Sequence, residues 1–290
     1  MIRFDKFLLL GAMLVPVLFA GHAASADTPA DAGKPDVLRV CQDPSNLPFS
    51  NTKGQGYENK IAELFAHKLG VKLEYFSFPQ RLGFIRNTLK YKIPGDSNYR
   101  CDLIMSVPEK LTEVAVTKPY YRSTYALVYA AGHGLDAVKT EADFLKLDPA
   151  KLKTLKIGIF DRSPASEWLS RNHLVEQGVP YQMMNARPDY YPGEIIDKDL
   201  ASGKIDVAIA FGPIAGYYAK KVGSPKMVVV PLKSQPGVQF DFAFAMGVRH
   251  GEPEWKALVD RLLEQNRADI LAILRDFNVP MLNDKGEVMQ

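Results

Sequence analysis

The chain reads as an α/β protein of two lobes with a hinge and an interlobe cleft, and three observations carry that reading. A strand–helix–strand–helix–strand order runs from Val37 to Val107. The same order recurs from Lys156 to Phe211. A strand-forming crossing separates the two units, and another follows the second. Strands that alternate with helices imply parallel pairing in a layered α/β architecture. Two such units joined by crossings imply a hinge, with the site at the strand ends that face the cleft.

In the first unit, Val37 to Gln42 is a short apolar strand that ends at Asp43. Tyr57, Ile61, Leu64, Phe65 and Leu69 fall on one face at helical spacing, and Gly70 is placed to close that helix. Val71 to Phe78 alternates as a strand, and Leu82, Ile85 and Leu89 mark a second helix. A polar excursion from Tyr91 to Arg100 leads into a strand from Cys101 to Val107.

In the second unit, Lys156 to Phe160 is a strand that ends at Asp161. Ser163-Pro164 offers an N-cap followed by proline at the first helical position. Tyr181 to Asn185 is a short strand, a helix runs from about Glu194 to Gly203, and Ile205 to Phe211 is the next strand. The stretches from Cys101 to Val107 and from Ile205 to Phe211 match: each follows a helix, carries aspartate second (Asp102, Asp206) and ends in a proline-containing loop. Between the units, Lys118 to Tyr125 leads into the strand Ala126 to Tyr129. The return crossing is Asp241 to Val248, followed by helices on Trp255, Leu258, Val259 and Leu262 and on Ile270, Ile273, Leu274 and Phe277. The expected organisation is 37–130 plus 236–290 as the first lobe and 131–235 as the second.

Ahead of these units, Arg3 and Lys6, the apolar run from Phe7 to Ala20 and the small residues Ala24-Ser25-Ala26 form a secretory signal peptide over 1–26. The run is too short for a membrane anchor. The mature chain is expected to begin near Asp27, with a flexible stretch over 27–36, and to work in the periplasm. Of 290 residues, 47% are hydrophobic and 24% charged, an ordinary globular composition. The net charge is +3, too small to argue for nucleic acid, and no run of Lys and Arg appears.

Cys41 and Cys101 are the only cysteines. In an oxidising compartment such a pair reads as one disulfide, closing a loop of about 60 residues. Zinc would need more ligands, and the five histidines have no ligand spacing.

Several long stretches carry a resemblance. They are Arg39 to Ser50, with the order Arg-Val-Cys-Gln-Asp-Pro-Ser-Asn-Leu-Pro-Phe-Ser, Gly56 to Ala62, Pro79 to Leu89, and Pro119-Tyr120-Tyr121-Arg122-Ser123-Thr124-Tyr125. In order and spacing the chain resembles the type II periplasmic binding proteins, the amino-acid-binding solute-receptor family, over essentially all of Val37 to Val279. Within that family it is similar to the J proteins associated with quinoprotein methanol dehydrogenase in methylotrophic bacteria. The resemblance implies the two-lobed type II periplasmic-binding-protein fold and an accessory role beside a periplasmic methanol dehydrogenase. That partner would use pyrroloquinoline quinone. No cofactor is expected in this chain, so the quinone would belong to the partner.

The chain departs from the family's receptors in two places. Those receptors hold a ligand carboxylate with an arginine just after the third strand, where this chain has Ser106-Val107-Pro108-Glu109-Lys110. They pair the ligand ammonium with an aspartate where this chain has Phe211. Without a guanidinium fork and an opposing anion, a zwitterion would lose its hydration uncompensated. Capture of free amino acids is not expected.

Asp43, Asn46 and Phe49 sit where the first strand meets the cleft, and Asp161, Arg162 and Ser163 sit at the matching place in the second unit. They either line a site or merely build turns and caps, as Asx turns and N-caps do. A helix N-terminus beside Arg162 favours anions. Tyr120, Tyr121, Arg122 and Tyr125 form the densest aromatic and cationic cluster, fit for a binding hot spot or for hinge packing. Arg81 and Arg86 belong to an exposed helix face; Asp102 and Asp206 are structural. The expected binding residues, for a dehydrogenase partner or for a small molecule or peptide in the cleft, are therefore Asp43, Asn46, Phe49, Tyr120, Tyr121, Arg122, Asp161, Arg162 and Phe211. Catalysis is not expected: Glu58 or Asp161 could act as a base opposite Lys110, but no catalytic or phosphate-binding motif accompanies them. The competing function is a transport receptor for a small organic ligand.

Overall fold

A computed structural model describes Met1 and residues 33–80, 83–182 and 190–289. The signal-peptide segment, most of the 27–36 stretch, Arg81, Leu82 and the end of the strand expected over Tyr181 to Asn185 lie outside the described residues.

Ten strands form one sheet whose two halves repeat a plan. In the first half Val37–Gln42 is central, parallel to Lys72–Ser77 on one side and to Leu103–Pro108 on the other. In the second half Ile157–Phe160 is central, parallel to Gly178–Tyr181 and to Val207–Phe211. The repeat read in the sequence is thus a repeat of strand order, and both third strands then meet an antiparallel crossing. Asp241–Val248 pairs with Leu103–Pro108, and Tyr121–Ala130 pairs with Val207–Phe211.

Tyr121–Ala130 joins the halves. Its first residues pair with the return crossing, in the register Tyr121 to Phe244 and Thr124 to Asp241. From Tyr125 onward it pairs instead with Val207–Phe211, and from Ala126 with Met227–Pro231 on its other edge. Arg122 Nη1 bonds Asp241 Oδ2 at 2.6 Å, bracing the two crossings where they meet.

Helices cover both faces. Tyr57–Leu69 closes at left-handed Gly70, as its spacing predicts, and buries Tyr57, Ile61, Ala62 and Phe65 against Leu38, Val40 and Leu103. Pro253–Gln265 and Arg267–Asp276 complete that core with Trp255, Leu258, Val259, Ile270 and Leu274. In the second half, Trp168 and Phe144 pack with Tyr129 and Ile157 on one face, and Ile195, Ile196 and Tyr218 with Ala208 and Ala210 on the other.

Three local expectations need correction. The second helix is a single turn, Phe84–Asn87: the backbone leaves helical geometry at Thr88, with φ −119° and ψ −88°, and Arg100 Nη1 donates to the Asn87 carbonyl at 3.2 Å. The helix expected from Glu194 to Gly203 is a wide-turned Ile195–Leu200, held by bonds such as Ala201 N to Ile196 O at 3.0 Å. Ser163 does sit at the N-cap of Pro164–Arg171, but its hydroxyl donates backward to Phe160 O at 2.7 Å instead of capping the helix.

Asp102 and Asp206 play the structural part expected of them. Asp102 pairs with Arg249 at 2.6 Å and Arg39 at 3.4 Å, and Asp206 Oδ2 accepts from Lys156 N at 2.8 Å. Cys41, in Val37–Gln42, and Cys101, two residues before Leu103–Pro108, are disulfide-bonded, with Cα atoms 5.3 Å apart and both side chains buried. Alkylation of unreduced mature protein should find no free thiol. Cys101→Ser should lower stability by about 2–4 kcal/mol, read from chemical denaturation.

Candidate functional site

The strand ends that face the cleft meet in a run of aromatic rings. Phe49, in the loop after the first strand, lies 5.3 Å from Tyr57 and stacks nearly parallel to Phe211 at 6.5 Å. Phe211, at the end of Val207–Phe211, touches Tyr125 at 5.6 Å and Phe244 at 5.3 Å. Phe244 stacks on Tyr121 at 5.1 Å, and Tyr125 reaches Phe240 and Phe242. Phe49 is packed against the cores of both halves. Phe49, Tyr125, Phe211, Phe242 and Phe244 are all half-buried, so their outer edges form an apolar floor open to the cleft.

Under this floor lies a hydroxyl cluster. Ser106 Oγ is 3.0 Å from Tyr120 Oη and 3.3 Å from Tyr57 Oη, and Tyr57 Oη is 2.8 Å from Tyr121 Oη. Burial pushes all three phenols upward, so they remain neutral donors. Ser106 is held at φ +50°, a left-handed backbone that non-glycine residues seldom adopt and that persists only where the surroundings enforce it.

Glu58, on the first turn of Tyr57–Leu69, faces this cluster. Burial pushes its carboxyl from the usual 4.5 up to about 7; contacts with the Ser106 and Ser50 hydroxyls pull it partly back, and the Asp43 carboxylate adds to the rise. No cation contributes to the balance. Its titration is thereby moved from the usual carboxylate range toward neutral pH.

The residues singled out by sequence fall into three groups. Phe49 and Phe211 meet in the floor. Tyr120 and Tyr121 are only 4% and 5% exposed, so they mainly support the floor from beneath, and what they show lines a small pocket with Glu109, Arg122 and Met281. Arg122 is held by Asp241 at 2.6 Å, with Glu109 at 4.0 Å. Asp43 builds a turn: its Oδ1 accepts from Ser45 N at 2.8 Å and its Oδ2 from Gln80 N. Asn46 Nδ2 donates to Gln80 Oε1 at 2.9 Å. Asp161 N donates to Tyr181 O at 2.8 Å, and Arg162 is exposed with φ +56°. Lys110 is exposed in the turn after Leu103–Pro108. Arg86 is exposed too.

The reading by sequence missed Ser106 and Phe244. Ser106 begins the stretch where the family's receptors carry an arginine, and Phe244 alternates with Phe242 within the strand expected over Asp241 to Val248. A cavity of about 380 Å³ with a mixed lining lies beside the floor, between Pro44, Asn51 and Lys53 of one half and Tyr191, Tyr218 and Lys221 of the other. Among the described residues no group of three or more His, Cys, Asp or Glu is placed to hold a metal ion, and no helix is long and apolar enough to cross a membrane.

Comparison with known proteins fits this geometry. The family model of the bacterial extracellular solute-binding proteins, family 3, matches residues 38–277. Protein MoxJ of Methylorubrum extorquens is 29% identical over 288 residues, covering 94% of this chain and 91% of that protein. The crystal structure of periplasmic binding protein XoxJ from Methylobacterium extorquens AM1 is 40% identical, covers 85% of this chain and 100% of its own, and superposes with a TM-score of 0.67. MxaJ from Methlophaga aminisulfidivorans is 25% identical over 84% of this chain and 100% of its own, with a TM-score of 0.68. The mixed α/β periplasmic-binding fold is therefore the fold of this chain.

The raised carboxyl sets a pH dependence. Between pH 4.5 and about 7 the folded chain keeps on Glu58 a proton that the unfolded chain releases. Stability therefore falls as pH rises through that window and is level above it. Glu58→Gln should be the more stable protein at pH 8, by about 2 kcal/mol once partial exposure is allowed for. The difference should vanish near pH 4.5 in thermal melts.

Proposed function

We propose that this chain, which belongs to the bacterial extracellular solute-binding proteins, family 3, is a periplasmic accessory protein that binds a quinoprotein methanol dehydrogenase and does not capture free amino acids. The observation that carries this reading is the aromatic floor: at Phe211, where the family's receptors place an aspartate for a ligand ammonium, this chain puts a half-buried ring among four others. A preformed patch of aromatic edges suits an apolar protein segment and offers a zwitterion neither a fork nor a counter-charge. The long motifs shared with the dehydrogenase-associated J proteins support the choice of partner, as does likeness to MoxJ, XoxJ and MxaJ across nearly the whole of those chains.

We take 37–130 with 236–290 as one lobe and 131–235 as the other, with the contact at the cleft mouth and rims. The role is non-catalytic. It consists of holding the dehydrogenase in an immature conformer while cofactor or metal enters, and this requires tighter binding to that conformer than to the mature one. Purified mature protein should bind apo-dehydrogenase more tightly than holoenzyme. Phe49→Ala with Phe211→Ala should weaken that binding about tenfold or more. Absence of binding to either form at micromolar concentration would exclude the role.

A second reading, a transport receptor for a small organic ligand, is favoured by the cavity of about 380 Å³ that both halves line. Gene deletion separates the two. The accessory role predicts lost dehydrogenase activity with solute uptake intact, and the receptor role predicts the reverse. No α-amino acid should raise the melting temperature, whereas a ligand present at 100 times its Kd would add about 2.7 kcal/mol.

A further inference from the structure

Four sets of contacts tie the halves together beside the crossing strands. The first is the loop after the first strand. Leu47 and Phe49 pack against the core that holds Ala208, Ala210 and Tyr218, and Tyr218 Oη donates to Leu47 O at 3.2 Å. The second is the ring stack of Phe49 on Phe211.

The third is a strap. After Arg267–Asp276 the chain runs beneath the helix Gly212–Val222. Asn278 Nδ2 donates to Gly216 O at 3.0 Å, Lys220 Nζ to Asp276 O at 3.0 Å, and Tyr217 stacks on Phe277 at 5.8 Å. The approach is close enough to need glycine. A Cβ on Gly216 would stand 1.8 Å from Asn278 O, and one on Gly212 would meet Thr124 O at 2.3 Å and Pro280 at 2.6 Å. Asn278 itself takes φ +56° to make the turn.

The fourth set fixes the strap to the crossing. Ser123 Oγ donates to Pro280 O at 2.7 Å, and Leu282 N to Arg122 O at 2.9 Å. The strap therefore touches the helix of one half and the hinge strand of both.

We propose that the two lobes form one rigid body: the Asn278–Leu282 strap wedged under Gly212 and Gly216, together with the Leu47–Phe49 loop seated on the second lobe, holds the cleft at a fixed width and disables hinge closure. Hinge motion needs a few residues that absorb a large backbone change while the packed faces on either side separate. Here the residues beside the crossing are pinned by main-chain bonds on the strap. Backbone packed without intervening side chains cannot slide by small steps, because interiors at this density have discrete arrangements. The proposal concerns how the lobes are held and stands apart from the identity of any partner.

Pulsed dipolar spectroscopy between spin labels at Lys90→Cys and Glu176→Cys, both exposed positions on opposite halves, tests it in the otherwise unaltered mature chain. The expected result is one narrow distance distribution, unchanged by millimolar L-arginine or L-histidine. Two populations, or a shift on adding either amino acid, would overturn the proposal. Gly216→Ala should broaden the distribution and move it to longer distance. If that variant does not fold, Tyr217→Ala, which removes the stack on Phe277 without adding bulk, should broaden it as well. A distribution that stays narrow in the folded strap variant would show that the strap does not hold the lobes.

Discussion

The structure depends on one strand serving both halves of the sheet. Tyr121–Ala130 gives its first residues to the return crossing and the remainder to the second half, and the handover falls between Thr124 and Tyr125. That point is heavily fastened. Arg122 grips Asp241, Ser123 holds Pro280, and Thr124 Oγ1 donates to Leu232 O at 2.6 Å. Three consecutive side chains thus secure the return crossing, the C-terminal segment and the entry to the crossing from the second half. Were this handover to shift by one residue, every alternating side chain downstream would change face. Tyr125 and Phe211 would then leave the cleft floor.

The floor draws its character from this placement. A receptor pocket needs polar groups that converge on one point, whereas here the converging groups are rings, and the polar atoms beneath them are turned toward one another. Ser106 and its phenol neighbours satisfy themselves within the layer below. Glu58 is left as the single carboxylate of that layer whose balance includes no cation. Polarity is concentrated in the layer below the rings, where the three phenols are buried and Ser106 and Glu58 keep partial exposure.

Much of this was legible in the sequence. The crossing Asp241–Val248 spans the expected residues, and helical spacing located the long helix Tyr57–Leu69 because it buries one continuous face. The pairing of Cys41 with Cys101 followed from number and compartment alone. The failures share a cause. The short helix at Phe84, the wide-turned Ile195–Leu200 and the backward-pointing Ser163 hydroxyl are matters of local backbone geometry and hydrogen bonding, which hydropathy does not record. Ser106 escaped notice because its importance lies in a left-handed backbone and in neighbours from two other elements. Aromatic density did not reveal that Tyr120 and Tyr121 are almost wholly buried, because it does not tell a buried ring from an exposed one.

The Cys41–Cys101 bond has a bearing on where the chain becomes itself. Cys41 stands two residues before the loop that carries Phe49 to the second half, and the bond ties that strand to Leu103–Pro108, whose end holds Ser106. Glutathione in the cytosol keeps such thiols reduced, so a chain retained there would support both sides of its cleft on pairing strands alone. In an oxidising compartment the covalent tie is added beneath the floor, and the same chain with its thiols reduced is the softer one, the easier for proteases to open.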